Sequence, residues 1–318
     1  VSNDYGDGVV DHGYGSYIND TLSFTLSGNG TRVSPVVLPN FQVGTLDTFY
    51  ASFVLPAPQA GFLGLGQPCD MPGSTPDEIC SGYPPSFLNQ LYERDVIPRR
   101  AFSIYLGKDE PQVDNALLVI NGQDIAKQAS APFTVAMVTP QDMNSAGAVP
   151  SLFHINVTSF ALTFSVASAT TASEALQPTT TTQTFKLAPT DQVGLVDTGN
   201  ANWYLPGSVW TAVSQYFHIS TNSSYNGPYT VDCGFQNADL EENRINVYFN
   251  HDRDVVSIPL ASLVSTFSPD KCAVWLDGGG NGLGAPFIRQ IWALFDQDGF
   301  ELQIANVRHT EEVNIQPL

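Results

Sequence analysis

Polar and apolar residues alternate in short runs along much of the 318-residue chain, as in Leu22-Ser23-Phe24-Thr25-Leu26. A period of two is that of a strand with one face buried. Turn residues punctuate the runs, for example at Gly6-Asp7-Gly8 and Ser27-Gly28-Asn29-Gly30, so the segment from Val1 to about Leu55 is predicted to be β-sheet. Further strands are predicted at Ala101 to Leu106, Ala116 to Ile120, within Phe133 to Leu162, at Trp292 to Asp296 and at Glu301 to Ala305. Ile245 to Phe249 and Val255 to Leu260 are expected to pair. Phe62-Leu63-Gly64-Leu65-Gly66 reads as a buried strand whose glycines permit close backbone approach.

Two segments switch to helical spacing: Pro85 to Tyr92, with Ser86 as N-cap, and Pro206 to Val213, with Ser208 near the cap. Leu283 to Arg289 reads as a strand end turning into a helix. Ser165 to Gln183, crowded with Ser, Thr and Ala, is either an extended surface loop or a long hairpin tip. The predicted class is all-β dominated, with a few short helices.

Gly194-Leu195-Val196-Asp197-Thr198-Gly199 is the segment with the most chemical content. An apolar strand runs into a tight turn and presents a carboxylate there. An Asx-type turn closing a strand has the same local signature, so the segment alone does not decide its role.

The chain is long enough to bury two cores. It carries 31 Asp plus Glu against 12 Lys plus Arg, a formal charge of −19, which should repel nucleic acid and anionic membranes. The same charge suits an acidic medium, where partial protonation relieves self-repulsion. No apolar run reaches the length of a membrane span, and no signal peptide pattern is present, so a mature, processed form is expected. Cys69, Cys80, Cys233 and Cys272 form no C-x-x-C pair; the even count predicts two disulfides, with Cys69 and Cys80 close enough for a local bridge. Sequons at Asn19, Asn29, Asn156 and Asn222 fit a secreted or cell-surface glycoprotein. The five histidines are scattered without metal-ligand spacing, no Gly-x-Ser-x-Gly occurs, and Gly278 to Gly282 precedes no Lys-Ser/Thr. Neither metal nor cofactor is expected.

In chain order, Tyr5-Gly6-Asp7-Gly8, Phe62 to Gly66, Asp197-Thr198-Gly199, Leu283-Gly284-Ala285-Pro286-Phe287-Ile288-Arg289 and Leu294-Phe295-Asp296 form a set. Over essentially the whole chain, the set resembles the pepsin-like aspartic endopeptidases, and the fungal yapsin-like members in particular. The resemblance implies a bilobal acid protease fold, with residues 1–137 as the remainder of a first lobe and 138–318 as the second. It implies that Asp197 is one of two catalytic aspartates, that Thr198 joins the grip between two catalytic loops, and that the Gly199 backbone donates to the carboxylate. Tyr5 would sit on a flap turned by Gly6 and Gly8. Asp7 is either a specificity residue for Lys on the amino side of the cut or a plain turn residue. A disulfide between Cys233 and Cys272 is implied as well.

Such an enzyme activates water between two carboxylates that share one proton, because two close carboxylates cannot both ionise cheaply. In the family the first Asp-[Thr/Ser]-Gly lies ahead of the flap, which here begins at Tyr5. The first aspartate is therefore expected in a separate light chain, without which this chain should be inactive. Expected partners are that light chain, a peptide or protein substrate and a pepstatin-type inhibitor. Asn200 and Ala201 depart from the family, which usually has Thr or Ser after the Gly. An Asn amide could donate to the carboxylate instead. The alternative is a catalytically silent pepsin-fold binder, as in plant xylanase inhibitors.

Overall fold

The computed structural model describes residues 12–28, 31–50, 63–66, 85–108, 116–138, 153–167, 178–220, 228–236, 242–268 and 270–318. Tyr5, Gly6, Asp7, Asn29, Cys69, Cys80 and Asn222 lie outside them. The chain divides into two compact units, Val1–Arg100 and Ala101–Leu318.

In the first unit, β1 (His12–Gly28) and β2 (Thr31–Tyr50) form an antiparallel hairpin closed where Gly28 pairs with Thr31. A two-stranded ribbon is marginal by itself, and helix α1 (Phe87–Glu93) anchors part of it. Phe41 of β2 is buried and its ring lies 5.8 Å from that of Phe87. The Gln90 carboxamide pairs with Gln42 as a strand would, accepting from its N–H at 2.8 Å and donating to its carbonyl at 3.0 Å. Ser86 caps α1 as expected, its Oγ accepting from Asn89 N at 3.3 Å. Residues 63–66 differ from expectation: they form no strand, and Leu63 is 53% exposed. Among the described residues nothing approaches Gly64 or Gly66 closely enough to require a glycine.

The second unit holds two five-stranded sheets. One runs β4 (Leu117–Ile120), β3 (Ala101–Tyr105), β19 (Ile291–Asp296), β20 (Glu301–Asn306) and β6 (Phe133–Ala136), all antiparallel. Every residue of β3 and β19 is buried. Phe102 stacks on Phe295 at 4.7 Å, and Phe153 meets Phe295 edge-on at 4.7 Å. Burying each such ring contributes about 1.5–3 kcal/mol. Strands β3, β4 and β6 thus share a sheet with β19 and β20 from near the end of the chain.

The other five-stranded sheet runs β17 (Leu276–Gly278), β11 (Trp203–Leu205), β18 (Gly282–Leu283), β10 (Val193–Val196) and β7 (His154–Asn156). A four-stranded sheet runs β14 (Asp254–Pro259), β13 (Arg244–Phe249), β8 (Ser159–Ala167) and β9 (Pro178–Lys186). Its β8–β9 pairing runs from Ser159↔Lys186 to Ala167↔Pro178, so the described ends of the Ser/Thr-rich stretch, 165–167 and 178–183, are paired strand. The predicted pair β13–β14 forms in full register. Strands β12 (Tyr229–Val231), β16 (Lys271–Val274) and β15 (Val264–Ser268) make a three-stranded sheet, and β21 (Ile315–Pro317) pairs with β5 (Gly122–Asp124). The Cys233–Cys272 disulfide is present and ties β16 to the short 3-10 turn Cys233–Gln236.

Helices α2 (Gly207–Tyr216) and α3 (Ala285–Ile288) follow β11 and β18. The cap of α2 is Pro206, and Ser208 stands close to it, inside the first turn. Proline fixes φ ahead of the helix, and its carbonyl accepts the first intrahelical bond, from Trp210 N at 2.9 Å.

Candidate active site

Strand β10 is held on both sides, antiparallel to β7 through Gly194↔Ile155 and parallel to β18 through Leu195↔Gly282 and Val196↔Leu283. The chain then turns over residues 197–202 and re-enters the same sheet as β11, beyond β18. The strand that separates the two arms therefore lies directly beneath the turn. Asp197 N donates to Leu283 O at 3.2 Å and Val196 N to Phe153 O at 2.9 Å, so the carboxylate stands at the end of a doubly paired strand with alternate residues buried.

Asp197 is half-buried, while Thr198 and Gly199 are exposed. Gly199 N donates to Asp197 Oδ1 at 2.9 Å, the bond expected for that glycine. Among the described residues it is the one hydrogen bond given to this carboxylate, leaving most of its four acceptor positions open. The Asn200 side chain meets the turn itself: its Oδ1 accepts from Asn202 N at 3.0 Å. Asn200 also donates through its N to Asp197 O at 3.3 Å and accepts at its carbonyl from Ala285 N at 2.8 Å.

The floor beneath the turn is tightly packed. Trp203, Leu283, Phe287 and Ile288 are fully buried, with the Trp203 and Phe287 rings 5.3 Å apart. A Cβ on Gly284 would lie 2.0 Å from Asn202 O and 2.7 Å from Asn200 O, so no larger residue fits. Sequence reading had quoted Leu283-Gly284 as a motif but missed this contact and the part played by Asn202. The only local signal was the glycine itself, since its neighbours are remote in sequence.

Between β17 and α2, Tyr229 OH donates to Asp277 Oδ1 at 3.4 Å, and its ring lies 5.4 Å from Trp210. Burial first, then the Asp277 charge, raise the Tyr229 hydroxyl above its ordinary range, keeping it a donor. A cleft of about 370 Å³ opens near the start of β10, between Asp191 and Asn281, and no residue of the 197–202 turn lines it. Among the described residues no group of three or more His, Cys, Asp or Glu side chains is arranged for a metal ion. Asn19 is exposed on β1, and Asn156 is half-buried in β7 opposite Val193.

A sequence model of the eukaryotic aspartyl protease family matches residues 4–307. The aspartic proteinase sxa1 of Schizosaccharomyces pombe is 25% identical over 295 residues, which cover 89% of this chain and 50% of that protein. The chain thus spans about half the length of this curated relative. With the Asp-Thr-Gly turn seated on its parallel strand and the match running nearly end to end, the chain belongs to the eukaryotic aspartyl protease family and has its β-dominated, pepsin-like fold.

Proposed function

We propose that this chain supplies one half of the catalytic centre of a secreted aspartic endopeptidase that cleaves peptide bonds at acidic pH. The observation that carries the reading is the half-exposed Asp197 carboxylate, fixed at a strand end and, among the described residues, receiving one backbone hydrogen bond. The other carboxylate comes from an Asp-[Thr/Ser]-Gly turn in a light chain. The pair holds one proton: the ionised member takes a proton from the attacking water, and the protonated member donates to the scissile carbonyl. Such a dyad titrates as a unit. Thr198 ties the two catalytic turns together, and Tyr5, with Gly6 and Asp7, closes over the bound peptide.

Support for secretion comes from the relation to a fungal aspartic proteinase, the disulfide, the acidic surface and the exposed Asn19 sequon. No helix among the described residues is long and apolar enough to cross a membrane. A silent binding protein is favoured by one feature, the commitment of the Asn200 side chain to Asn202 and not to the carboxylate. N-terminal sequencing and mass measurement of every polypeptide in the purified material, beside a pepstatin-sensitive cleavage assay at acidic pH, separates the two. A second chain bearing the missing aspartate, with pepstatin-blocked cleavage, is expected. A partner turn lacking that aspartate, with no cleavage, would establish the binder.

A further inference from the structure

Asn200 spends three of its polar groups on the architecture of the catalytic turn. Its N–H closes the turn on Asp197 O, its carbonyl receives Ala285 N at the start of α3, and its carboxamide oxygen receives Asn202 N. We propose that Asn200 is the positioning residue of the Asp197 turn, acting as an acceptor that locks the backbone and not as a donor to the carboxylate. This rests on the peptidase reading above.

The neighbourhood leaves little room for another arrangement. Asn202 is 8% exposed, so releasing its N–H from Asn200 Oδ1 would strand a donor in a buried setting. Its carbonyl, with that of Asn200, presses on Gly284, whose missing side chain is what lets α3 approach. Trp203 follows directly and is fully buried against Phe287. Residues 200–202 are therefore fixed to α3 on one side and to Asp197 on the other. The Asn200 side chain closes that link from within, which sets the height of Asp197 over β18. A hydroxyl or amide aimed at the carboxylate would occupy one of its acceptor positions. Among the described residues no side chain fills those positions, so they are available to water and to the second carboxylate of the proposed dyad.

The test uses the complete gene product and two variants. In Asn200→Ala, residue-resolved hydrogen exchange of the Asn202 amide should accelerate by at least about tenfold. In the same variant kcat should fall about tenfold while KM stays within about twofold, since a displaced carboxylate affects the reaction more than peptide binding. Asn200→Asp keeps an acceptor oxygen in place and, when ionised, has no hydrogen to give; it should restore protection of the Asn202 amide. The proposal is overturned if Asn200→Ala leaves that amide or kcat unchanged, or if the amide exchanges as fast in Asn200→Asp as in Asn200→Ala. Absence of pepstatin-sensitive cleavage by the parent protein would instead defeat the peptidase reading, while amide exchange would still decide whether Asn200 is the backbone lock.

Discussion

Asp197 and Asp252 each stand in a turn at the end of a strand of the second unit, and the protein treats them in opposite ways. Asp252 follows β13 in a turn where Asn250, His251 and Asp252 all have positive φ, of 51°, 60° and 64°. Its carboxylate takes hydrogen bonds from the Thr158 and Ser159 hydroxyls, each at 2.7 Å, and from Lys186 Nζ at 2.9 Å. These donors, Lys186 first and then Ser159 and Thr158, hold its pKa down to about 2. Asp197 ends a shorter strand that is likewise paired on both sides, yet among the described residues one backbone donor is given to its carboxylate. A carboxylate with its lone pairs filled fastens a hairpin; one with lone pairs to spare is available to water and substrate. Strained backbone accompanies the first, at about 1–2 kcal/mol for each non-glycine residue in the left-handed region. The side-chain bonds help to offset it.

The largest expected effect is on catalysis. Asp197→Asn should lower peptide cleavage by at least about a thousandfold while shifting unfolding by less than about 0.5 kcal/mol, because the amide oxygen can still accept from Gly199. Asp252→Asn should do the reverse. Equal loss of activity in both would break the contrast, and parallel denaturation and turnover measurements would reveal it.

Next comes the floor under Asp197. Gly284→Ala forces a methyl to within 2.0 Å of a backbone carbonyl and should cost about 3 kcal/mol, with a matching fall in denaturation midpoint. Gly207→Ala, at the first residue of α2 with nothing within 4 Å, should be neutral or slightly stabilising. Similar costs at the two glycines would mean that the close approach of α3 does not hold the turn.

What the sequence made legible was local. Val193–Val196 running into Asp197, the Ser86 cap and the β13–β14 pair depend on nearest neighbours, and each appears as expected. Rules of the same kind misled where tertiary pairing was needed: residues 63–66 are not strand. The Cys233–Cys272 bridge was reachable through the family resemblance, not through spacing. Contacts joining distant segments left no mark that could be read in advance. Gly284 against Asn202 is one; Asp252 against Thr158 and Ser159 is the other, in a stretch that looks like any polar turn.

The smallest predicted effect concerns pH, and it bears directly on a protein proposed to work in acid. Asp252 is depressed from 3.8 to about 2 in the folded state. A carboxylate lowered on folding contributes stability that is complete above its unfolded pKa and is lost as pH falls through the folded value. Its side chain is 31% exposed and that of Lys186 77% exposed, so solvent screens the pair and a contribution of about 1 kcal/mol is expected. Urea denaturation of the parent and of Asp252→Asn at pH 6, 4 and 2 should show a gap that is full at pH 6, begins to shrink near pH 4 and has mostly closed by about pH 2. A hairpin fastened by Asp252 would thus stay fastened through the moderately acidic range in which a shared-proton dyad operates. A gap that did not vary with pH would remove the Lys186 charge as its origin, because a neutral amide still accepts from Thr158 and Ser159 and loses only the interaction with that charge.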